Sequence, residues 1–256
     1  MKNIILKGTI LIVLTVAAIG IVVGQGLSWE SITKVPIADG KEIHSTSSYR
    51  PHMFKQSSEN SVSIFRLDKE MMYLIDTQKK EYSEMTFAEM EAYAKKANKK
   101  LEGKMAEMNE QLKNMPPEQR KAMEQMMGNV GMGGQNVKID VIKTAEKKTI
   151  SGYTCVKYAM KEGGKEIGSV WTTTGVPDFS SMQKDMKEFS QRIAAQMPKA
   201  GEMVAAMKKV DGFPVQTTIA GITSTVTKVE KKVVAASEFE VPAGYKKVTP
   251  KDFTED

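Results

Sequence analysis

The chain has 256 residues, 41% hydrophobic and 27% charged, with a formal net charge of +6. This is ordinary globular composition, which excludes collagen-like and disordered classes, and a single cysteine, Cys155, excludes an internal disulfide. The mild positive charge suits contact with anionic surfaces but lacks the clustered Lys and Arg of a nucleic-acid binder, so nucleic acid is excluded as a partner.

The N-terminus carries an address. Lys2 and Lys7 precede an apolar run from Ile10 to Val23, and the small residues Gly24 and Gly26 follow. A positive region, a short apolar region and a small-residue exit describe a secretory signal. The run is nearer a signal core than the roughly twenty residues of a spanning helix. Residues 1–26 are therefore read as a signal peptide, with an uncleaved inner-membrane anchor as the alternative, and the expected location is the periplasm. A lipoprotein needs a cysteine at the cleavage point, and Cys155 lies far downstream. Without Lys2 and Lys7 the net charge falls to +4.

Residues 27–246 read as one α+β domain, with a polar tail over 247–256. Segments 30–35 and 41–49 are strand candidates. From Ser61 to Met85 the chain reads as a meander: Val62–Arg66, Met71–Ile75 and Glu81–Met85 are strands separated by turns at Asp68-Lys69 and Asp76–Lys80. The period then changes. Thr86-Phe87-Ala88-Glu89 is a capping box. Behind it Phe87, Met90, Ala94, Ala97, Leu101, Met105, Met108, Leu112 and Met115 recur in steps of 3 and 4. That spacing is one stripe on a helix of about eight turns. Pro116-Pro117 ends it, Gln119–Met127 is a short helix, and Gly128–Gly134 stops that helix. Together 86–132 form a Met-rich insert, holding eight of the nineteen methionines.

The second half repeats this order. Strands are expected over 137–143, 147–150, 153–161 and 166–173, with a hairpin turn at Glu162-Gly163-Gly164. A second helix carries the stripe Phe179, Met182, Met186, Phe189, Ile193 and Met197. Residues 201–208 are a further helical piece, Asp211-Gly212 a turn, and 214–219, 224–229 and 232–235 closing strands. Strands alternating in blocks with helices give an α+β class. The expected architecture is a curved antiparallel sheet, a half-barrel, with long amphipathic helices packed on its concave face.

No residue set marks catalysis, and the chain is read as a non-enzyme without a cofactor. His44 and His52 are eight residues apart, lack a metal-ligand spacing and read as surface residues. Cys155 sits in a strand with no partner cysteine or histidine and reads as a buried thiol. The glycine run follows a helix and precedes a strand, the reverse of a phosphate loop, and reads as a linker. The lysines flanking the first helical stripe read as a solvated face, with a lipid surface as the alternative. Methionine fills irregular apolar gaps, and thioethers also favour Cu(I). Met105, Met108, Met123, Met126 and Met127 are thus the candidate ligands of a copper-handling alternative.

Several stretches carry a resemblance together. They are Met72–Asp76 followed by Lys79–Tyr82, Ile150–Tyr158, Val170–Thr173, Gly212–Val215 and Phe239–Tyr245. In this order they resemble a family of exported bacterial domains of unknown function. More distantly the layout is similar to LolA/LolB-like lipoprotein carriers, whose curved antiparallel sheet wraps around helices. The resemblance implies no catalytic residues. It implies a domain that binds an apolar small molecule or a lipidated partner, or that meets the envelope membrane surface. The expected lining is Phe65, Tyr73, Met90, Leu101, Met105, Trp171, Met182 and Phe189. A purely structural or interaction role, with the helices filling the hollow, is the remaining alternative.

Overall fold

Short alternating segments joined by tight turns build a sheet by local pairing, and the computed structural model shows how far that pairing extends. It describes residues 23–36, 41–116, 119, 138–177, 179–194 and 205–250. Six strands come first: β1 (Val23–Val35), β2 (Lys41–Arg50), β3 (Met53–Ser58), β4 (Ser61–Arg66), β5 (Met71–Asp76) and β6 (Glu81–Thr86). Helix α1 (Phe87–Lys113) follows. Then come β7 (Ile139–Ile150), β8 (Tyr153–Glu162), β9 (Lys165–Thr173), helix α2 (Phe179–Ala194), β10 (Phe213–Ile219) and β11 (Ile222–Ala235). A 3₁₀ turn (Ala236–Phe239) leads to β12 (Lys246–Lys247).

All twelve strands form one sheet in the order β12-β6-β5-β4-β3-β2-β1-β11-β10-β9-β8-β7. Every pairing is antiparallel except β12 on β6. The first meander grows outward from β1 in one direction. The chain then passes to the opposite edge and meanders back until β11 pairs with β1. The sheet is large, curved and unclosed. Register shifts at Glu30/Ser31, Lys143/Lys147, Met160/Lys161 and Pro214/Gln216 mark bulges, which bend and twist strands locally.

The hairpin turns explain the register. Gly163 and Gly164 sit at φ 56° and 84°, as the expected turn requires. Gly26 has a different role: a Cβ there would lie 2.2 Å from the Tyr49 carbonyl oxygen. Val23–Gly26, inside the segment read as leader, pair with Lys232–Ala235.

Strand periodicity sorts the side chains of β1–β6 onto two faces. One face carries a cross-strand row, Leu27–Tyr49–Phe54–Phe65–Met72–Met85, in which each residue pairs directly with the next. The other face packs Ile64 and Ile75 against Val234 and Phe239 from the C-terminal segment. Arg66 clamps that segment. The residue is 5% exposed, and its guanidinium donates at 2.8 and 2.7 Å to both Asp68 oxygens and also to Glu240 and the Phe239 carbonyl. The start of the polar tail is tied to β6: the Lys246 N–H donates to the Lys80 carbonyl at 2.9 Å and the Val248 N–H to the Tyr82 carbonyl at 2.8 Å.

The balance of elements corrects one expectation. Among the described residues strand makes up 54% and helix 23%, and long helices laid across a concave face are not supported. Helix α1 begins at its capping box, with Thr86 Oγ1 accepting from the Glu89 N–H at 3.1 Å and the Glu89 carboxylate accepting from the Thr86 N–H at 2.8 Å. Its chief contacts are with β6 and α2. Phe87 is 3% exposed, but the stripe continues through Ala94 and Ala97, which offer little area to bury against a sheet. Helix α2 is the one that packs: Met182, 7% exposed, enters the cluster of Leu27, Trp171, Phe213 and Val226. The Gln119–Met127 helix and the Gly128–Gly134 run lie outside the described residues, apart from residue 119.

Candidate functional site

Two strings of contacts hold α2 to the sheet. The first is aromatic. Phe179 meets Phe213 at 5.4 Å between ring centres, Phe213 meets Trp29 at 5.7 Å, and Trp29 meets Phe54 at 5.8 Å. Phe54 meets Phe65 at 6.0 Å, Phe65 meets Phe189 at 4.9 Å, and Phe189 meets Phe87 at 5.3 Å. Phe179 and Phe189 are both on α2, ten residues or about 15 Å apart along its axis. The rings therefore run from one end of the helix, across β10, β1, β3 and β4, back to its other end.

The second string is polar and centres on Asp185, which is 5% exposed. Its Oδ2 accepts from the Tyr49 hydroxyl at 2.8 Å and from the His52 backbone N–H at 2.7 Å. The His52 Nδ1 lies 3.4 Å from Oδ1. His52 holds φ 64° at the tip of the β2–β3 hairpin, which turns its N–H toward the helix. Burial, and then the neighbouring Asp185 carboxylate, push the Tyr49 phenol well above its ordinary range. The phenol stays a donor, and the carboxylate is a tether for α2.

On its other flank α2 faces residues 207–214 across a cleft of about 660 Å³. Phe179, Met182, Met186, Met207, Val210 and Pro214 supply its apolar lining. Lys184, Lys187, Lys208 and Asp211 stand on the same walls. The Gln183 amide donates to the Val210 carbonyl at 3.3 Å and bridges the two walls. Gly212, at φ 87°, lets the chain turn under this wall; a Cβ would lie 2.6 Å from the Thr173 carbonyl oxygen. This lining is an apolar trough with cations on its walls, and its size falls within the roughly 300–1,000 Å³ of small-molecule sites.

The structure distributes the expected lining residues unevenly. Met182 lines the cleft. Trp171 is buried in the same cluster as Met182, with the Lys148 ammonium 4.2 Å from its ring centre, so it serves the core. Phe65 and Phe189 meet at the other end of α2, and Met90 is half-buried one turn into α1. Tyr73 falls on the opposite face, among Ile64, Ile75 and Phe239, because strand side chains alternate. The side chains of Leu101 and Met105 lie outside the described residues, as do Met123, Met126 and Met127; Met108 is half-buried on α1. Cys155 is fully buried, and burial pushes its thiol up, as a structural thiol requires. Among the described residues no group of three or more His, Cys, Asp or Glu could hold a metal ion. Among them, too, no helix is long and apolar enough to cross a membrane.

Met207, Val210, Pro214 and the three lysines are site residues that the sequence did not single out. The available signal was the Met182/Met186 spacing beside a second methionine-bearing helical piece. Asp185 also had a signal: it falls three residues after Met182 and four before Phe189, an acid on an apolar stripe.

Fold and cleft together define an open, curved antiparallel-sheet protein with one helix clamped to the sheet and a trough beside it. Residues 119–245 match the family described as Domain of unknown function (DUF4412). That match bears out the resemblance to a family of domains of unknown function. No curated protein matches the chain. Similar solved structures include PNGF-II in a C2 space group, at 10% identity and a TM-score of 0.38, covering 89% of this chain and 31% of that one. PNGF-II in a P21 space group is similar at 10% identity and 0.39, covering 88% and 32%. The chain thus spans about a third of the PNGF-II length, and a likeness this distant carries no argument about function.

Proposed function

We propose that this chain is a non-enzymatic periplasmic binding protein for an apolar ligand or a lipidated partner. One observation carries the proposal: the trough of about 660 Å³ between α2 and residues 207–214, with three methionines and a phenylalanine in its lining. Methionine adapts to varied apolar surfaces, so such a lining suits chains of differing length. Burying each CH₂ is worth about 0.8 kcal/mol, so about ten would supply roughly 8 kcal/mol before ordering costs. The signal-like start, with Lys2 and Lys7 before an apolar run, supports the location. The unclosed sheet with a helix against it supports a layout similar to LolA/LolB carriers, in which α2 would line the hollow.

Native mass spectrometry of protein recovered from the periplasm, together with uptake of a fluorescent fatty acid, tests this reading. The expected result is bound apolar mass that is lost on delipidation, and saturable uptake by the delipidated protein. Ligand-free protein that takes up no probe would contradict it.

A further inference from the structure

We infer that the cleft beside α2 takes a single-chain amphiphile with an anionic head, its chain on the methionines and its head among the lysines. The inference deepens the apolar-ligand reading and rests on it.

The lining is graded by exposure. Met182 and Val210 are buried, and Met186, Met207 and Pro214 are half-buried. Lys184, Lys187 and Lys208 line the same cleft and are exposed. Against these three cations the lining holds one acid, Asp211. Depth is therefore apolar and the mouth is cationic, which is the polarity of an anionic amphiphile. A cleft with low-dielectric walls and one sign of charge at its mouth concentrates the opposite charge there. A lysine can lay its methylenes along the apolar wall while its ammonium reaches the head group.

These lysines also differ from others on the molecule. Lys157 lies 3.2 Å from both Glu146 and Glu166, Lys228 is 2.7 Å from Glu230, and Lys34 is 2.8 Å from Glu42. Among the described residues none of Lys184, Lys187 and Lys208 is held in an ion pair. Their charge is available to a ligand. The volume favours one chain over two, and the Gln183–Val210 bridge holds the two walls together before any ligand arrives.

The test uses the full chain with two probes: cis-parinaric acid, whose emission rises in apolar surroundings, and its uncharged methyl ester. The carboxylate should bind at least tenfold tighter than the ester at low salt, with the gap closing as salt rises. The exposed triple variant K184E/K187E/K208E should lose at least tenfold in carboxylate affinity and lose several-fold less for the ester. Met207→Asp, with Met186→Gln as a milder second variant of the same lining, should weaken both probes. Equal affinity for acid and ester, or a triple variant that binds the acid as before, overturns the anionic-head inference while leaving the apolar reading standing. Binding of both probes unaffected by either methionine variant overturns the assignment to this cleft. Failure of both probes to bind overturns this inference and the apolar reading together.

Discussion

Asp185 is a charged residue in an apolar stripe, and its partners explain it. Removing the carboxylate leaves the Tyr49 hydroxyl and the His52 N–H without their acceptor in a buried place. Such hydrogen bonds to a charged group are worth about 1.5–3 kcal/mol each, and an orphaned donor adds its desolvation cost. Asp185→Ala should therefore lower stability by about 3 kcal/mol, seen as a fall in the urea midpoint at unchanged slope. A change under about 0.5 kcal/mol would show that the tether is idle. The raised Tyr49 phenol has its own signature. In the unfolded chain the phenol ionises near pH 10, while in the fold it stays protonated to higher pH. Its contribution is fully present below about pH 10 and is lost as pH rises beyond that, at about 1.4 kcal/mol per pH unit. The stability gap between the protein and Tyr49→Phe should narrow above pH 10, whereas parallel curves would contradict the assignment.

At the level of elements, the C-terminal clasp matters as much as the helices. Phe239 is fully buried, and Arg66 holds the carbonyl of that same residue. Phe239→Ala should cost about 3–5 kcal/mol by leaving a cavity between β4, β5 and β11. A loss below about 1 kcal/mol in a urea melt would mean the clasp is only draped over the sheet. The sequence made the regular elements legible: the capping box at Thr86, the Gly163-Gly164 turn and the alternation in β4–β6 each carry their own local cause. It hid β3, because Met53-Phe54-Lys55-Gln56-Ser57-Ser58 holds just two apolar residues, adjacent in sequence, and shows no period of 2. It split β7 and β11, because a bulge at Lys143/Lys147 and the polar run Glu230–Lys232 interrupt apolar alternation without ending the strand. It gave no sign that the missing Cβ of Gly26 brings β1 against the Tyr49 carbonyl.

On the scale of the whole molecule, a local pattern tells which face of a strand is apolar but not what covers it. The aromatic circuit from Phe179 to Phe189 by way of β10, β1, β3 and β4 joins residues far apart in sequence, and no spacing announces it. The cleft was half legible for the same reason. Met182 and Met186 belong to a helical stripe that can be counted, but their partner wall at Met207–Pro214 is set by the hairpin β10–β11 returning to β1. The two helical stripes look alike on paper and differ in use: α2 meets the sheet with Phe and Met, while α1 offers Ala through its middle. The central claim is that the trough beside α2 holds an apolar chain, and methionine-methyl NMR tests it most directly. On titration with hexadecanoate, saturable shifts should appear at Met182, Met186 and Met207, while Met53, packed on the opposite face of the sheet, stays still. Shifts absent from those three methyls, or confined to others, would contradict the account.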